Sequence, residues 1–216
     1  NYLALTALQN RPTTGSRVKV IIAEGEIVRG THPQGVVGAV SLSKKLRAAA
    51  EDKQVKAVVL RINSPGGDSF ASEIIRREIQ ALKEMGKTVV VSMGNVAASG
   101  GYWIAMGADE VWASPSSITG SIGVYGILPT FARPLGKLGI HTDGVGTTPL
   151  SGKLRLDRPL DPDLRRIFQR ATERTYDDFI ALVAQARQME ADEVHNVAQG
   201  RVWSGSQAKT RGLVDQ

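Results

Sequence analysis

The chain has no cysteine among its 216 residues. That excludes a disulfide framework, a thiolate nucleophile and any metal site built on sulfur, and it fits oxidising and reducing compartments equally well. Aromatic residues make up only 5%, and no stripe interleaves them with basic residues, so a nucleic-acid partner is not expected. No apolar run approaches the roughly 18 residues needed to cross a bilayer, so no membrane span is expected in this chain. Histidine, the commonest general base, occurs three times, as His32, His141 and His195. None of the three sits in a motif with a partner, and each reads as a surface or locally bonded side chain.

What remains is ordinary globular material. Apolar residues make up 42% and charged residues 22%, enough for one sizeable α/β domain. The net charge of +6 is spread along interleaved stretches such as REIQALKEMGK and DLRRIFQRATER, which read as solvated helix faces rather than a basic patch. The opening NYLALTALQN and the end at GLVDQ are expected of a segment of a longer protein. Residues 1–16 are then a leading helix or linker from a preceding segment, and residues 17–216 one domain.

Alternation of strands and helices sets the fold class. RVKVIIA (17–23) reads as a strand, followed by a polar loop, and a helix is expected from Ser41 to Asp52 with Ser41 or Ser43 as its cap. VKAVVLRI (55–62) and TVVVSM (88–93) are continuous apolar runs, expected as strands buried on both faces of a parallel sheet. A helix from Ser69 to Met85 carries Ile74, Ile75, Ile79 and Leu82 at helical spacing. Another runs from Ser99 to Met106, DEVWAS forms a short strand, and SSITGSIGV reads as a Gly/Ser loop. In the last third, Asp161-Pro162 starts a long helix whose stripe is Leu164, Ile167, Phe168, Ala171, Phe179, Leu182, Val183 and Ala186. A shorter helix covers 190–198. The pattern is α/β with crossover helices and a C-terminal helical extension.

Two turns at the carboxyl ends of strands carry chemistry. In NSPGGD (63–68) the paired glycines let backbone N–H groups approach a ligand. In GNVAASGGYW (94–103) a lone Ser99 stands between Ala98 and Gly100, where a helix begins. Ser99 is either a nucleophile flanked by amide donors from its own loop and a neighbouring one, or simply the helix cap, with SPGG a tight turn. A serine nucleophile needs a base, and a lysine with a lowered pKa can replace histidine. Lys153 in PLSGKLRLD is the nearby candidate, although a lysine in so charged a loop is ordinarily solvated. Arg155 and Arg158 stay protonated and are unfit for the task.

RINSPGGD, SMGNVAASGGYWIA, SITGSIGV and QGRVWSGSQAKTRGLVD, in that order, resemble the signal peptide peptidase A (protease IV) family. These are serine–lysine peptidases on the crotonase and Clp-protease fold. The resemblance implies Ser99 as nucleophile, the N–H groups of Gly67 and Gly100 as oxyanion donors, and Ser121 as the residue that orients the lysine. It implies a substrate groove walled by Gly120, Ile122 and Gly123, with no cofactor and no metal. Extended peptides with small or apolar side chains, cleaved signal peptides above all, are the expected substrate. A homotetramer, tethered to the inner membrane and facing the periplasm, is the implied setting.

One departure matters. The family's short form carries its lysine after TGSIGV, yet an ungapped match from Ser121 lands on Ser151, and aligning S-G with Ser151-Gly152 lands on Arg155. The chain resembles instead the C-terminal half of the long, tandem form, in which the N-terminal half supplies the lysine. Two other readings remain open: a non-catalytic domain that builds an oligomer, and an acyl-CoA hydratase or isomerase relative with Glu73 as its base. Glu73 is expected at the solvated surface.

Overall fold

The computed structural model describes residues 15–216; the leading helix or linker expected over 1–16 lies almost wholly outside them. The described chain divides into two compact units. One runs through Gly120 and resumes at Trp203–Gln216, and the other is Ser121–Val202.

The first unit opens with strand β1 (Arg17–Glu24), the short strands β2 (Ile27–Val28) and β3 (Val37–Gly38), and helix α1 (Ala39–Glu51). Strand β4 (Val55–Ser64), helix α2 (Ser69–Glu84), strand β5 (Thr88–Ala98) and helix α3 (Gly100–Ala105) follow. Strands β6 (Glu110–Trp112) and β7 (Ile118–Gly120) complete its first pass. The main sheet has the order β1-β4-β5-β7, with β6 also paired to β5, and these pairings are all parallel. β2 and β3 form a separate parallel pair.

The core lies on one face of the sheet. Val58, Leu60 and Ile62 of β4 and Val89 and Val91 of β5 are completely buried, against α1 and α2, which pack on each other and on the strands. Leu46, Ile75, Ile79 and Leu82 come from those helices. The expectation of burial on both faces fails on the other side. There Ala57, Val59 and Val90 are half-buried, and Val18, Val20 and Ile22 of the edge strand are more than half exposed. Apolar runs in parallel strands forecast helices on both faces, but among the described residues of this unit helices cover one.

Two boundaries differ from expectation for identifiable reasons. α1 begins at Ala39 with Gly38 as its cap, not at Ser41. The Ser41 hydroxyl instead accepts from His32 N at 2.9 Å and donates to His32 O at 3.0 Å, pinning the loop before the helix, while Ser43 is buried inside it. β5 does not stop at Met93 but runs on to Ala98. Its register against β4 slips from Ile62↔Met93 to Ser64↔Ala97. The side chain of Asn63 fills the resulting bulge, accepting from Val96 N at 3.2 Å. Gly94 is required there, because a Cβ would lie 2.9 Å from Asn63 Oδ1.

α3 is buried along its whole length. Tyr102 donates its hydroxyl to Leu213 O at 2.7 Å, and the Trp103 indole donates to Glu73 at 2.9 Å. Strand β8 (Val202–Ser204) begins the return of the chain to this unit, and helix α7 (Gly205–Thr210), capped by Ser204 and Gln207, packs on β7.

In the second unit, helix α4 (Ala132–Lys137) buries none of its residues. Helix α5 (Pro162–Arg187) is capped by Asp161, whose side chain accepts from Asp163 N at 2.8 Å. Of the expected stripe, Leu164, Phe179 and Val183 are buried, joined by Ile180, whereas Ile167 and Phe168 are exposed. Helix α6 (Ala191–Val197) packs on α5 and is closed by a Glu190–Glu193 capping box.

The Glu73 cluster makes the stability of the first unit pH-dependent. Burial opposes ionisation of Glu73, but hydrogen bonds from Arg76, Arg77 and Trp103 outweigh it and bring the carboxyl from 4.5 to about 2. A depressed folded pKa means that the charged form stabilises the fold above about 4.5, and that this is lost as pH falls toward about 2. Glu73→Gln is expected to flatten the dependence of the urea midpoint on pH across that window. An unchanged slope contradicts the assignment.

Candidate active site

Ser99 stands at the junction of β5 and α3 with φ +51° and ψ −119°. These are the angles of the first central residue of a type II′ turn, a position glycine normally takes. A non-glycine residue held there costs about 1–3 kcal/mol and persists only where its surroundings impose it. Here its N–H donates to Gly120 O at 2.9 Å and its carbonyl accepts from Trp103 N at 2.9 Å. Gly120, itself at φ +77°, ends β7, which pairs in parallel with Val96, Ala97 and Ala98. Thr119 donates to Ala97 O at 2.7 Å and Ser117 to Gly94 O at 2.6 Å, so two buried hydroxyls fasten the last turn of β5 to the segment beside it.

Ser99 occupies the cap position of α3, as the bland reading required, but its side chain makes no capping hydrogen bond. The hydroxyl is therefore not committed to the helix. A sharp strand-to-helix turn that lifts an uncommitted serine out of the backbone is the arrangement in which serine nucleophiles are presented.

The SPGG turn packs directly against this serine. A Cβ on Gly66 would lie 2.7 Å from Ser99 Cβ and 2.8 Å from Gly100 N. A Cβ on Gly100 would lie 3.2 Å from Gly67 N and 2.5 Å from Ser72 Oγ. The two glycine pairs thus bring the amides of Gly67 and Gly100 alongside each other, and neither N–H has a hydrogen-bond partner among the described residues. Gly66 and Gly67 have φ of +109° and +149°, so only glycine holds this turn without strain. Ser64, completely buried, accepts from Gly66 N at 3.1 Å and fixes its start.

The remaining expected residues divide between the two units. Gly120 closes the first, as the end of a strand rather than part of a loop, which corrects the reading of SSITGSIGV for residues 118–120. β-Branched Ile118 and Thr119 take the sheet pairing that the surrounding serines and glycines conceal. Ser121, Ile122 and Gly123 belong to the second. Ser121 has φ +50°, its N–H donates to Arg201 O at 2.8 Å, and Ile122 is completely buried, its carbonyl accepting from Gly200 N. Gly123 has no room for a side chain, since a Cβ would lie 2.8 Å from Gly200 Cα.

His141 is exposed, and the other candidate bases have partners of their own. His32 Nε2 meets Arg29 O at 2.9 Å, and His195 lies between Tyr176 and Gln199. Lys153 is ion-paired with Asp161 at 2.9 Å and with Asp163 at 3.7 Å. The hydrogen bond to Asp161 raises its pKa above the ordinary lysine value, the opposite of what a general base requires. Arg155 is engaged by Asp157. Glu73 is not simply solvated, as expected, but part-buried and held as an anion by two arginines and an indole, which makes it a poor proton acceptor. Among the described residues no cluster of acids and histidines could hold a metal.

Ile27, Asn63 and Ser64 shape the site without having been singled out in the sequence. Asn63 and Ser64 sit in the same NSPGGD run, so their proximity was legible; Ile27, far away in a polar stretch, gave no signal.

Residues 81–216 fit the model of Peptidase family S49, and residues 17–118 fit that of Clp protease. The chain is 44% identical to "Protease 4" of Salmonella typhi over 219 residues, spanning 100% of this chain and 35% of that protein. It is 45% identical to "Protease 4" of Haemophilus influenzae over 201 residues, 93% of this chain and 32% of that one. "Serine protease SPPA, chloroplastic" of Arabidopsis thaliana is 39% identical over 94% of the chain and 31% of its own length. The chain therefore spans about a third of the length of these relatives. In fold it is similar to a ClpP1 mutant from Listeria monocytogenes, with a TM-score of 0.57 at 18% identity, covering 91% of this chain and 89% of that one. The fold is the α/β architecture of the Clp proteases, and the chain belongs to peptidase family S49.

Proposed function

We propose that this chain is the nucleophile-bearing half of a serine–lysine endopeptidase, with Ser99 as nucleophile and the lysine supplied by a preceding homologous domain. The observation that carries the proposal is the strained turn at Ser99, its hydroxyl uncommitted, against which the Gly66-Gly67 and Gly100 backbones pack without an intervening side chain.

In this reading the neutral lysine amine takes the proton of the Ser99 hydroxyl as Oγ bonds to the substrate carbonyl carbon. The carbonyl π electrons move to oxygen, and the oxyanion accepts from the N–H groups of Gly67 and Gly100. Collapse re-forms the carbonyl and breaks the C–N bond, and the lysine ammonium gives its proton to the departing amine. Water then attacks the acyl-serine with the lysine again taking a proton, and returning it to Oγ as the acid leaves. Ser121 is the residue proposed to orient the lysine.

The base is assigned outside the chain because Lys153 is held by two carboxylates and kept protonated. The length of the relatives, about three times that of the chain, leaves room for such a domain. Extended peptides with small or apolar side chains, such as cleaved signal peptides, are the proposed substrate. Strand-like binding suits a groove with few side chains, since main-chain hydrogen bonds carry the affinity. The homotetramer and an inner-membrane tether facing the periplasm are proposals carried by family resemblance. Among the described residues no helix is long and apolar enough to cross a membrane.

Three outcomes follow for the full-length protein assayed on a signal-peptide-like substrate. Ser99→Ala abolishes turnover, and retained turnover refutes the nucleophile assignment. Gly66→Ala, which forces a Cβ against Ser99 and Gly100 N, lowers kcat by about 100-fold, the scale of losing one oxyanion donor; a wild-type kcat shows that the close approach is not needed. Lys153→Ala leaves kcat within about twofold, because a partly exposed ion pair outside the chemistry contributes little. Loss of activity there puts the base in this chain.

A further inference from the structure

We propose that Arg29 is a positioning residue for the Gly67 amide, acting through Asp68. The inference rests on the reading of Gly67 as an oxyanion donor and asks what keeps that donor aimed.

Gly66 and Gly67, both at positive φ, have no side chains with which to stiffen the turn. Gly67 is instead held by a single parallel bridge to Ile27. Ile27 N donates to Gly66 O at 2.8 Å, and Asp68 N donates to Ile27 O at 2.9 Å. In such a bridge the peptides flanking the central residue carry the hydrogen bonds, and the central residue's own N–H and C=O point the other way. Where Ile27 lies therefore sets where the Gly67 N–H points. The approach is close, since a Cβ on Gly67 would lie 2.0 Å from Ile27 O.

Ile27 belongs to the short strand β2, which pairs with the equally short β3, and its completely buried side chain ties it to the core. The second tie is ionic. Arg29, two residues beyond Ile27, donates from Nε to Asp68 Oδ2 at 2.9 Å. The other carboxylate oxygen, Oδ1, accepts from Ala71 N at 2.7 Å and caps α2. The guanidinium lies 5.2 Å from the centre of the Phe70 ring, which holds the long side chain in place. Ile27, Arg29, Asp68 and Gly67 thus close a small ring that joins β2, the turn and the start of α2.

This ring has the properties of a positioning device rather than a structural staple. The Arg29 side chain is 68% exposed and that of Asp68 30% exposed, and pairs of this kind add little to global stability. Small displacements of a donor, by contrast, translate directly into lost stabilisation of the oxyanion. Removing Arg29 should therefore act on rate and spare the fold.

The test compares Arg29→Ala, Arg29→Lys and Ser99→Ala in the full-length protein. It measures kcat, KM, Tm and affinity for a peptide aldehyde, whose serine adduct places an oxygen in the same hole. The expected result for Arg29→Ala is a fall in kcat of about tenfold and an equal loss of aldehyde affinity, with KM and Tm unchanged. Arg29→Lys recovers part of both. Unchanged kcat overturns the proposal, as does a fall matched by a lower Tm, or a raised KM at constant kcat. Any of these three with an inactive Ser99→Ala removes Arg29 alone; an active Ser99→Ala removes the reading of the whole site.

Discussion

The backbone of Ser99 is the constraint on which the rest of the site depends. A serine at φ +51° does not stay there by preference, and each neighbouring feature can be understood as holding it. β5 is carried past its bulge to Ala98 by Asn63, β7 supplies the carbonyl that takes the Ser99 N–H, and the buried α3 anchors the other side through Trp103 N. The SPGG turn then fits because Gly66 brings no Cβ to a place already filled by Ser99 and Gly100 N. Core packing, sheet register and two glycine pairs converge on one hydroxyl.

Electrostatics around this point are sorted by element. Glu73 is kept ionised by Arg76 and Arg77 and receives the Trp103 indole, so it buttresses α3 and exchanges no proton near neutral pH. Asp68 serves backbone and guanidinium at once. In the second unit Lys153 is committed to Asp161 and Asp163. Among the described residues Glu73, Asp68 and Lys153 are thus each committed to partners of their own, which is what the half-site reading rests on. It also separates this chain from an acyl-CoA hydratase relative, whose chemistry needs a free carboxylate where Glu73 is bound.

Much of this was legible in the sequence. The runs VKAVVLRI and TVVVSM marked the central strands, Asp161-Pro162 marked the start of α5, and the order of SPGGD, AASGGY and TGSIGV pointed to Ser99 and its glycines. The misses have local causes. Gly94-Asn95 reads as a break, yet the Asn63 side chain turns it into a bulge and the strand continues. Ile118–Gly120 reads as loop because serines and glycines surround it, but parallel pairing with β5 makes it a strand. Ser41 has the chemistry of a helix cap and spends it on His32. The ties from Ile27 and Arg29 to the SPGGD turn span about forty residues, and no periodicity or motif in a single sequence encodes such a pairing.

The central claim is that Ser99 is a nucleophile whose base comes from elsewhere. Its most direct test is mass spectrometry of this chain after treatment with a serine-directed phosphonate, alone and with the lysine-bearing domain added. The account predicts one covalent adduct, on the peptide containing Ser99, that forms rapidly only when the second domain is present. An adduct on another residue, or labelling of Ser99 at the same rate in both samples, would contradict it.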